Sequence, residues 1–513
     1  MNETTTPVLI GVGQFTDRSN SKNGLAPTQM MAEASKIAAT DTASSIILQH
    51  VDVIAAAGLT VDAAQVKNPL SGLVRNVPRA VAKHLGISPS RFVYAETGGD
   101  TPQKMVNHFA KEIALGKCET VLLTGGESFQ TMRLKFSHWS SLFRPKGAWK
   151  DRSGSKPESL GDVRLGSTDY EDRYGMSIPS NVYPLFENAI RAQQQRDLKE
   201  HAEHIAKMFS AFSKVAAINP HAWLPRERTA QELLTPEPPN RMVAYPYTKW
   251  LNSMLFVNQS AAVILTSVAK AKSLGVPMDR LVFLHGAASG NDIWNVSQRH
   301  NFHSSVAMCK LGRSALTMAG KDIDDIAAFD LYSCFPSAVQ VACDALGVVH
   351  DDPRGLTLTG GMPYFGGPGN NYNMHGIAEM VNWARNNPNE FGLVNANGWY
   401  LTKHAFGIYS ATPPKTDFNQ AEFGSQDIVD VNTTGIQLNE GLYGPAKIET
   451  YTVLFDKSNQ PQKAIIVARD DNNNRCLANT DEAPEIFERL LANEAVGRRG
   501  ELVKRGNLTL FDF

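Results

Sequence analysis

Leu356-Thr-Leu-Thr-Gly-Gly-Met-Pro-Tyr-Phe-Gly-Gly-Pro-Gly-Asn-Asn-Tyr-Asn-Met-His375 decides how the chain is read. Five glycines and two prolines stand in the ten residues from Gly360 to Gly369. That density marks backbone that takes positive φ or lies close against a neighbour. Asn370 and Asn371 add polar groups, and Met374 to Ala384 follows with helical spacing. Such a loop ahead of a helix can present N–H groups to a ligand; its plainer role is to make tight turns.

Upstream of this loop, Ala327–Leu331 reads as a buried strand entering Tyr332-Ser-Cys-Phe-Pro-Ser337. Pro336 suits a first helical turn, Val339, Ala342 and Leu346 face inward, and Gly347 stops the helix. Leu281–His285 reads as a strand, Ser304–Ala319 as a helix, and Leu393-Val394 opens a further strand. The first part of the chain shows the same order. Strands at Val8–Gly13, Val51–Leu59 and Arg91–Ala95 lead to the elbow Glu96-Thr-Gly-Gly-Asp-Thr-Pro-Gln-Lys104. A helix follows, with Thr101 as N-cap, Met105, Val106, Phe109 and Ile113 on one face and Gly116 as stop, then the strand Val121–Glu127. Two successive strand–elbow–helix–strand units predict a duplicated α/β core.

Lys135 to Pro246 is rich in Pro, Arg, Trp and His, and Val182–Ile218 has helical spacing, so this segment reads as an insertion. After Asp430 the pattern turns β-rich: Ile448–Phe455 and Ala464–Ala468 pair as a hairpin, Arg475–Ala478 is a third strand and Glu482–Leu491 a helix. The predicted division is 1–268, carrying a helical loop domain at about 130–250, then 269–428, then a small β-rich domain at 429–513.

Length alone implies more than one core for 513 residues. Fifty basic against 51 acidic residues, net −1, give no bias towards nucleic acid or a membrane. No apolar run reaches bilayer length and the start carries no secretory pattern. Five unclustered cysteines argue against a disulfide framework or a zinc site, and the chain is expected to be cytoplasmic and metal-free.

Ile113 to Glu127, Phe329 to Gly347 and Gly360 to Pro368 together resemble the thiolase superfamily, near the sterol-carrier thiolases. The segment after Asp430 resembles the appendage of type 1 thiolase-like proteins. The resemblance spans roughly Val8 to Ser410 and implies a duplicated, five-layered thiolase fold. Thiolases join or split acyl-CoA units through a cysteine at a helix N-terminus, a histidine, and a second cysteine. Matched position by position, the nucleophile falls at Gly99, the histidine at Gly367, the second cysteine at Ala396, and the catalytic His-Asp-Cys-Phe element reads Tyr332-Ser333-Cys334-Phe335. Ordinary thiolysis is therefore not expected. The resemblance implies an acetyl-CoA acetyltransferase-like protein of lipid metabolism that binds CoA or acyl-CoA, as an acyltransferase with reassigned residues or as a carrier or scaffold. Recruitment of a partner or nucleic acid by the C-terminal domain is a third reading. Thiolases dimerise through the first-half sheet edge, and both monomer and homodimer stay open.

Cys334 has two readings, a relocated nucleophile at a helix N-terminus or a small buried hydrophobe. His404 is either an acid–base partner of Tyr332 or Glu96, or a hydrogen-bonded structural residue, and His375 is similar. Asp100 is a second acid near the elbow or a cap. Gly98, Gly99, Gly366, Gly367, Asn370 and Asn371 are candidates for lining a thioester pocket. Arg133, Lys135, Arg144, Lys146, Lys150 and Arg152 are candidates for CoA phosphates, or form a solvated basic loop.

Overall fold

The computed structural model describes residues 2–63, 71–136, 147–415, 418, 423–430 and 434–513. Arg144 and Lys146 lie outside these. The strands in chain order are β1 (Pro7–Thr16), β2 (Val53–Ala57), β3 (Arg91–Ala95), β4 (Thr120–Ser128), β5 (Glu158–Leu160), β6 (Met242–Ala244) and β7 (Tyr247–Thr248). There follow β8 (Asn258–Ser267), β9 (Val282–Asn291), β10 (Ile326–Asp330), β11 (Phe391–Gly398) and β12 (Lys403–Ser410). Ten of them form one sheet ordered β10-β11-β12-β9-β1-β8-β4-β2-β3-β5. The two halves meet where Val8 and Leu9 pair with Phe283 and Val282.

Why the sheet reads as near-continuous apolar runs is plain from burial. Every residue of β4 and β8 is buried, as strands covered on both faces require. The helices Thr101–Ala114 and Tyr372–Asn386 each touch β1 and β8 of the first half and β9, β11 and β12 of the second. Pro27–Asp41 and Val77–Leu85 cover the far side of the first half, and Val306–Ala319 with Pro336–Leu346 that of the second. The result is five layers, with two helices in the middle. Polar groups on the central Thr101 helix are matched inside: Asn107 Nδ2 donates to the Ala288 carbonyl at 3.2 Å, and Gln103 Oε1 accepts from Tyr409 at 2.7 Å. This helix starts at Thr101 itself; Asp100 holds the N-cap position without a capping hydrogen bond, and Thr101 Oγ1 donates to the Glu96 carbonyl instead.

The insertion is mainly helical, with Pro179–Gln193 and Leu198–Ile218 as its long helices, but it also contributes strands. β5 pairs in parallel with β3 through Val93, Tyr94 and Ala95, occupying that sheet edge. β6 pairs with the C-terminal sheet, Ala244 opposite Leu454. That sheet holds β13 (Gly444–Phe455), β14 (Pro461–Arg469), β15 (Arg475–Asn479), β16 (Arg499–Arg505) and β17 (Leu508–Asp512). The order β14-β15-β17-β16-β13 closes through a β13–β14 pairing, so these strands make a five-stranded barrel. The hairpin and third strand stand where the sequence places them; β16 and β17 are additional.

Candidate functional site

Three connections between core elements converge at one end of the fold: the Glu96–Asp100 elbow, the Leu331–Phe335 segment, and the β11–β12 turn at Gly398–Thr402. Residues of the insertion, near Ser177–Tyr183 and Asn252–Leu255, close the space from the other side. The cleft they enclose has a volume of ≈520 Å³. Gly98, Gly99, Tyr332, Cys334 and Asn370 all line it, whereas Gly366, Gly367, Asn371 and His404 do not.

Asn370 holds the elbow in place. Its Oδ1 accepts from Gly98 N at 2.9 Å and its Nδ2 donates to the Gly58 carbonyl at 2.7 Å. Gly99 faces Tyr332 directly: a Cβ built there would overlap the Tyr332 hydroxyl and come 2.5 Å from Cζ. That hydroxyl makes no hydrogen bond to a described residue and opens to the cleft. Burial drives its pKa well above the ordinary phenol value, so it stays a donor. Gly366 and Gly367 serve the turn. Gly366 has φ +112°, Gly367 N donates to the Met254 carbonyl at 2.8 Å, and Ser253 Oγ fills the space a Gly367 side chain would enter. Asn371 is likewise a loop anchor, donating to the Gly125 carbonyl at 2.7 Å.

Cys334 precedes the Pro336–Leu346 helix, and burial pushes its thiol up to about 12, so it is not a thiolate at neutral pH. Asn397 Nδ2 lies 3.9 Å from its sulfur, and the Tyr183 hydroxyl also stands beside the thiol. Among the described residues, no imidazole lines the cleft. His404 sits on β12, with Nε2 3.1 Å from the Leu401 carbonyl and 3.4 Å from Ser305 Oγ, and burial lowers its pKa to about 4. The structure therefore separates His404 from Tyr332, Cys334 and Glu96. Glu96 accepts from Ser159 at 2.7 Å outside the cleft, and His375 is buried against Gln14 at 2.7 Å. Ala396 is fully buried and does not reach the space. Of the basic residues, Arg133 lies 4.8 Å from the ring of Phe256, beside the cleft residue Leu255; Lys135 stands 6.0 Å from the Trp149 ring. Lys150 and Arg152 are exposed.

Several contributors escape a reading by sequence. Tyr183 stacks on Phe335 with centroids 4.4 Å apart, donates to the Trp399 carbonyl at 2.9 Å and accepts from Asn397 at 3.0 Å. It also accepts from Leu401 N, pinning a turn in which Trp399 and Leu401 both hold left-handed φ of 52° and 55°. Its only sequence signal is an aromatic in a helical insertion. Ser253 carries no signal at all.

Glu127 ends the predicted Gly-Gly-Glu strand and lies under the cleft wall. Its Oε1 accepts from Thr60 N at 2.7 Å, and Oε2 is buried without a partner among the described residues. Burial pushes its pKa up to about 8. An acid raised in the folded state contributes stability that is complete below its unfolded pKa and is lost as pH rises through the folded one. Glu127→Gln, a mimic of the protonated acid, is expected to match the wild type near pH 4.5 and to become the more stable protein by pH 8. Urea denaturation at a series of pH values checks this; parallel curves for the two proteins would refute the assignment.

No disulfide, and no cluster of residues able to hold a metal, occurs among the described residues. No described helix is long and apolar enough to cross a membrane. No curated protein sequence matches the chain. Residues 426–507 match the family described as the thiolase-like protein type 1 additional C-terminal domain. A monomeric SCP2-thiolase-like protein type 1 from Mycobacterium smegmatis is 33% identical over 99% of this chain and 99% of its own, with a TM-score of 0.82. Acetyl-CoA acetyltransferase from Syntrophomonas wolfei, 14% identical, covers 80% of this chain and 100% of its own, with a TM-score of 0.55. Human mitochondrial 3-ketoacyl-CoA thiolase in complex with CoA, 15% identical, covers 80% and 99% at a TM-score of 0.53. The last two show the shared fold. With a full-length relative, a matching appendage and a duplicated five-layered core, this chain belongs to the type 1 thiolase-like proteins that carry the additional C-terminal domain.

Proposed function

We propose that the chain binds an acyl-CoA thioester in the cleft and does not carry out cysteine-based thiolysis or condensation. One observation carries this reading. The space that a nucleophile side chain would need at Gly99 is filled by Tyr332, and the space at Gly367 by Ser253. The sulfur and imidazole are replaced by packed side chains rather than by a vacancy. Cys334 offers a protonated thiol, and no base stands in the cleft among the described residues.

Binding is supported by the lining. Among the described residues, no charged side chain faces the ≈520 Å³ space; Ile178, Leu255, Met362 and Trp399 give apolar walls, and Asn252, Asn370 and Asn397 supply amides. The Tyr332 hydroxyl, without a hydrogen-bond partner among the described residues, is placed to donate to a thioester carbonyl. Arg133, next to the mouth, is the cation we assign to the phosphates. With β5 on the β3 edge, the protein is read as a monomer, and five free cysteines fit a cytoplasmic location. An acyltransferase role would have to run through Tyr332 as donor, and Tyr332→Phe tests it.

Calorimetry of the full chain with acetyl-CoA is expected to show binding, weakened about tenfold (~1.4 kcal/mol) in Arg133→Ala. Acetoacetyl-CoA with CoA is expected to yield no acetyl-CoA above the buffer rate. Absence of heat at millimolar ligand would remove the binding claim. Turnover that disappears in Cys334→Ala would restore thiol chemistry.

A further inference from the structure

A second cavity, ≈710 Å³ and so larger than the cleft, lies between the Leu198–Ile218 helix and the Val348–Thr357 loop. Its walls are of two kinds. Met208, Phe212, Val215, Val348 and Leu356 give an apolar body, and none of the five lines the thioester cleft. Arg196 and Lys207 bring positive charge to one side, and Arg196 Nη1 is buried with no partner among the described residues. The acids on the opposite side are largely engaged. Asp344 meets His350 at 2.9 Å, and His350 in turn meets His204 at 2.9 Å. Asp352 is paired with Arg354 at 2.8 Å. Asp351 alone among the lining acids has no cation or histidine partner, and the feature that singles out an anionic end is the unpartnered Arg196 Nη1 rather than a net charge of the lining.

We infer that this cavity is a second ligand site, for a small amphipathic carboxylate, and that its occupancy is transmitted to the glycine loop. An apolar body with one anionic end matches the apolar wall and the unpartnered guanidinium nitrogen of Arg196. Burying an unpaired guanidinium nitrogen is costly, and a carboxylate is the group that relieves it. Transmission follows from shared residues. Phe212 lines the cavity and packs against Gly361, where a Cβ would meet it at 2.6 Å. Thr357 lines it too and donates to Asp330 Oδ1 at 3.0 Å, the atom that also accepts from Leu358 N and Thr359 N. The floor of this cavity is thus the back of the loop whose front carries Met362, Gly369 and Asn370 into the cleft.

The test uses octanoate on the full chain, with acetate and 1-octanol as controls lacking the apolar body or the charge. Calorimetry is expected to show octanoate binding about tenfold tighter than either control. The double variant Arg196→Ala/Lys207→Ala should lose about tenfold in octanoate affinity while keeping its thermal midpoint. Hydrogen exchange should show octanoate protecting residues 356–371 in the wild type and not in the variant. Equal octanoate affinity in wild type and variant overturns the site, as does displacement of octanoate by acetyl-CoA at a single shared site. Octanoate binding without protection of 356–371 overturns the transmission. Neither readout depends on acyl-CoA binding, so failure of the cleft assignment is distinguishable from failure of this one.

Discussion

Gly99→Ala is expected to destabilise the protein by about 3 kcal/mol, at the upper end of the usual cost of overpacking. The backbone is not the obstacle, since Gly99 does not hold a left-handed φ. The obstacle is the Tyr332 ring and the Asn397 carbonyl, both of which the new methyl would overlap. Tyr332→Ala on its own removes a buried aromatic and should cost about 3 kcal/mol. The two changes together should cost about 2 kcal/mol less than their sum, because the second vacates the space that the first needs. Relief is partial, since the Asn397 carbonyl cannot move aside as a side chain can. Urea denaturation of the four proteins measures the coupling. A Gly99→Ala protein within about 0.5 kcal/mol of wild type would mean that a nucleophile-sized side chain fits, and the proposal of a displaced nucleophile would fall. Gly99→Cys is expected to behave like Gly99→Ala in stability and to gain no thiolysis, because no imidazole stands in the cleft among the described residues to activate it.

The same local facts explain what could be read from the sequence. Strands such as β4 and β8 are buried on both faces, so they stand out as unbroken apolar runs between glycines. The elbows before Pro102 and Pro336 carry their own start signals, which is why the duplication was legible. β16 was not: Arg-Gly-Glu-Leu-Val-Lys-Arg buries only Leu502 and shows charge elsewhere. β5 is three residues long and forms only because β3 offers an edge. His404 lies outside the cleft lining for a reason of register. Which face of β12 turns to the cleft depends on pairing with β11 and β9, and a one-residue difference in parity exchanges the faces. Tyr183 and Ser253 reach the cleft from the insertion, far along the chain from the elbows, and no local pattern announces such a contact.

The attachment of the barrel to the core was equally invisible, and one buried arginine is a central part of it. Arg475 of β15 is fully buried and donates to Glu449 at 2.7 and 2.6 Å, to the Ser297 carbonyl at 2.7 Å and the His300 carbonyl at 3.2 Å, and to that of Arg299. Arg469 shares Glu449 at 2.7 Å. The carbonyls belong to the core and Glu449 to the barrel, so this guanidinium joins them. Removing one side of such a buried arrangement strands the rest without compensation, and Arg475→Met is expected to cost about 3–5 kcal/mol in chemical denaturation. Burial alone would raise the Glu449 pKa, but the hydrogen bonds from Arg469 and Arg475 hold it below the usual range. A depressed acid contributes stability that is present above its unfolded pKa, about 4.3, and is lost as pH falls through the folded value. Acid titration should therefore destabilise the wild type below about pH 4.3 more steeply than Glu449→Gln, which has no such proton to take up. Should Arg475→Met unfold within about 1 kcal/mol of the wild type, the barrel must be held by its apolar contacts with the insertion instead, through β6 and the Pro179–Gln193 helix, and the ion pair would be a consequence of docking rather than its cause.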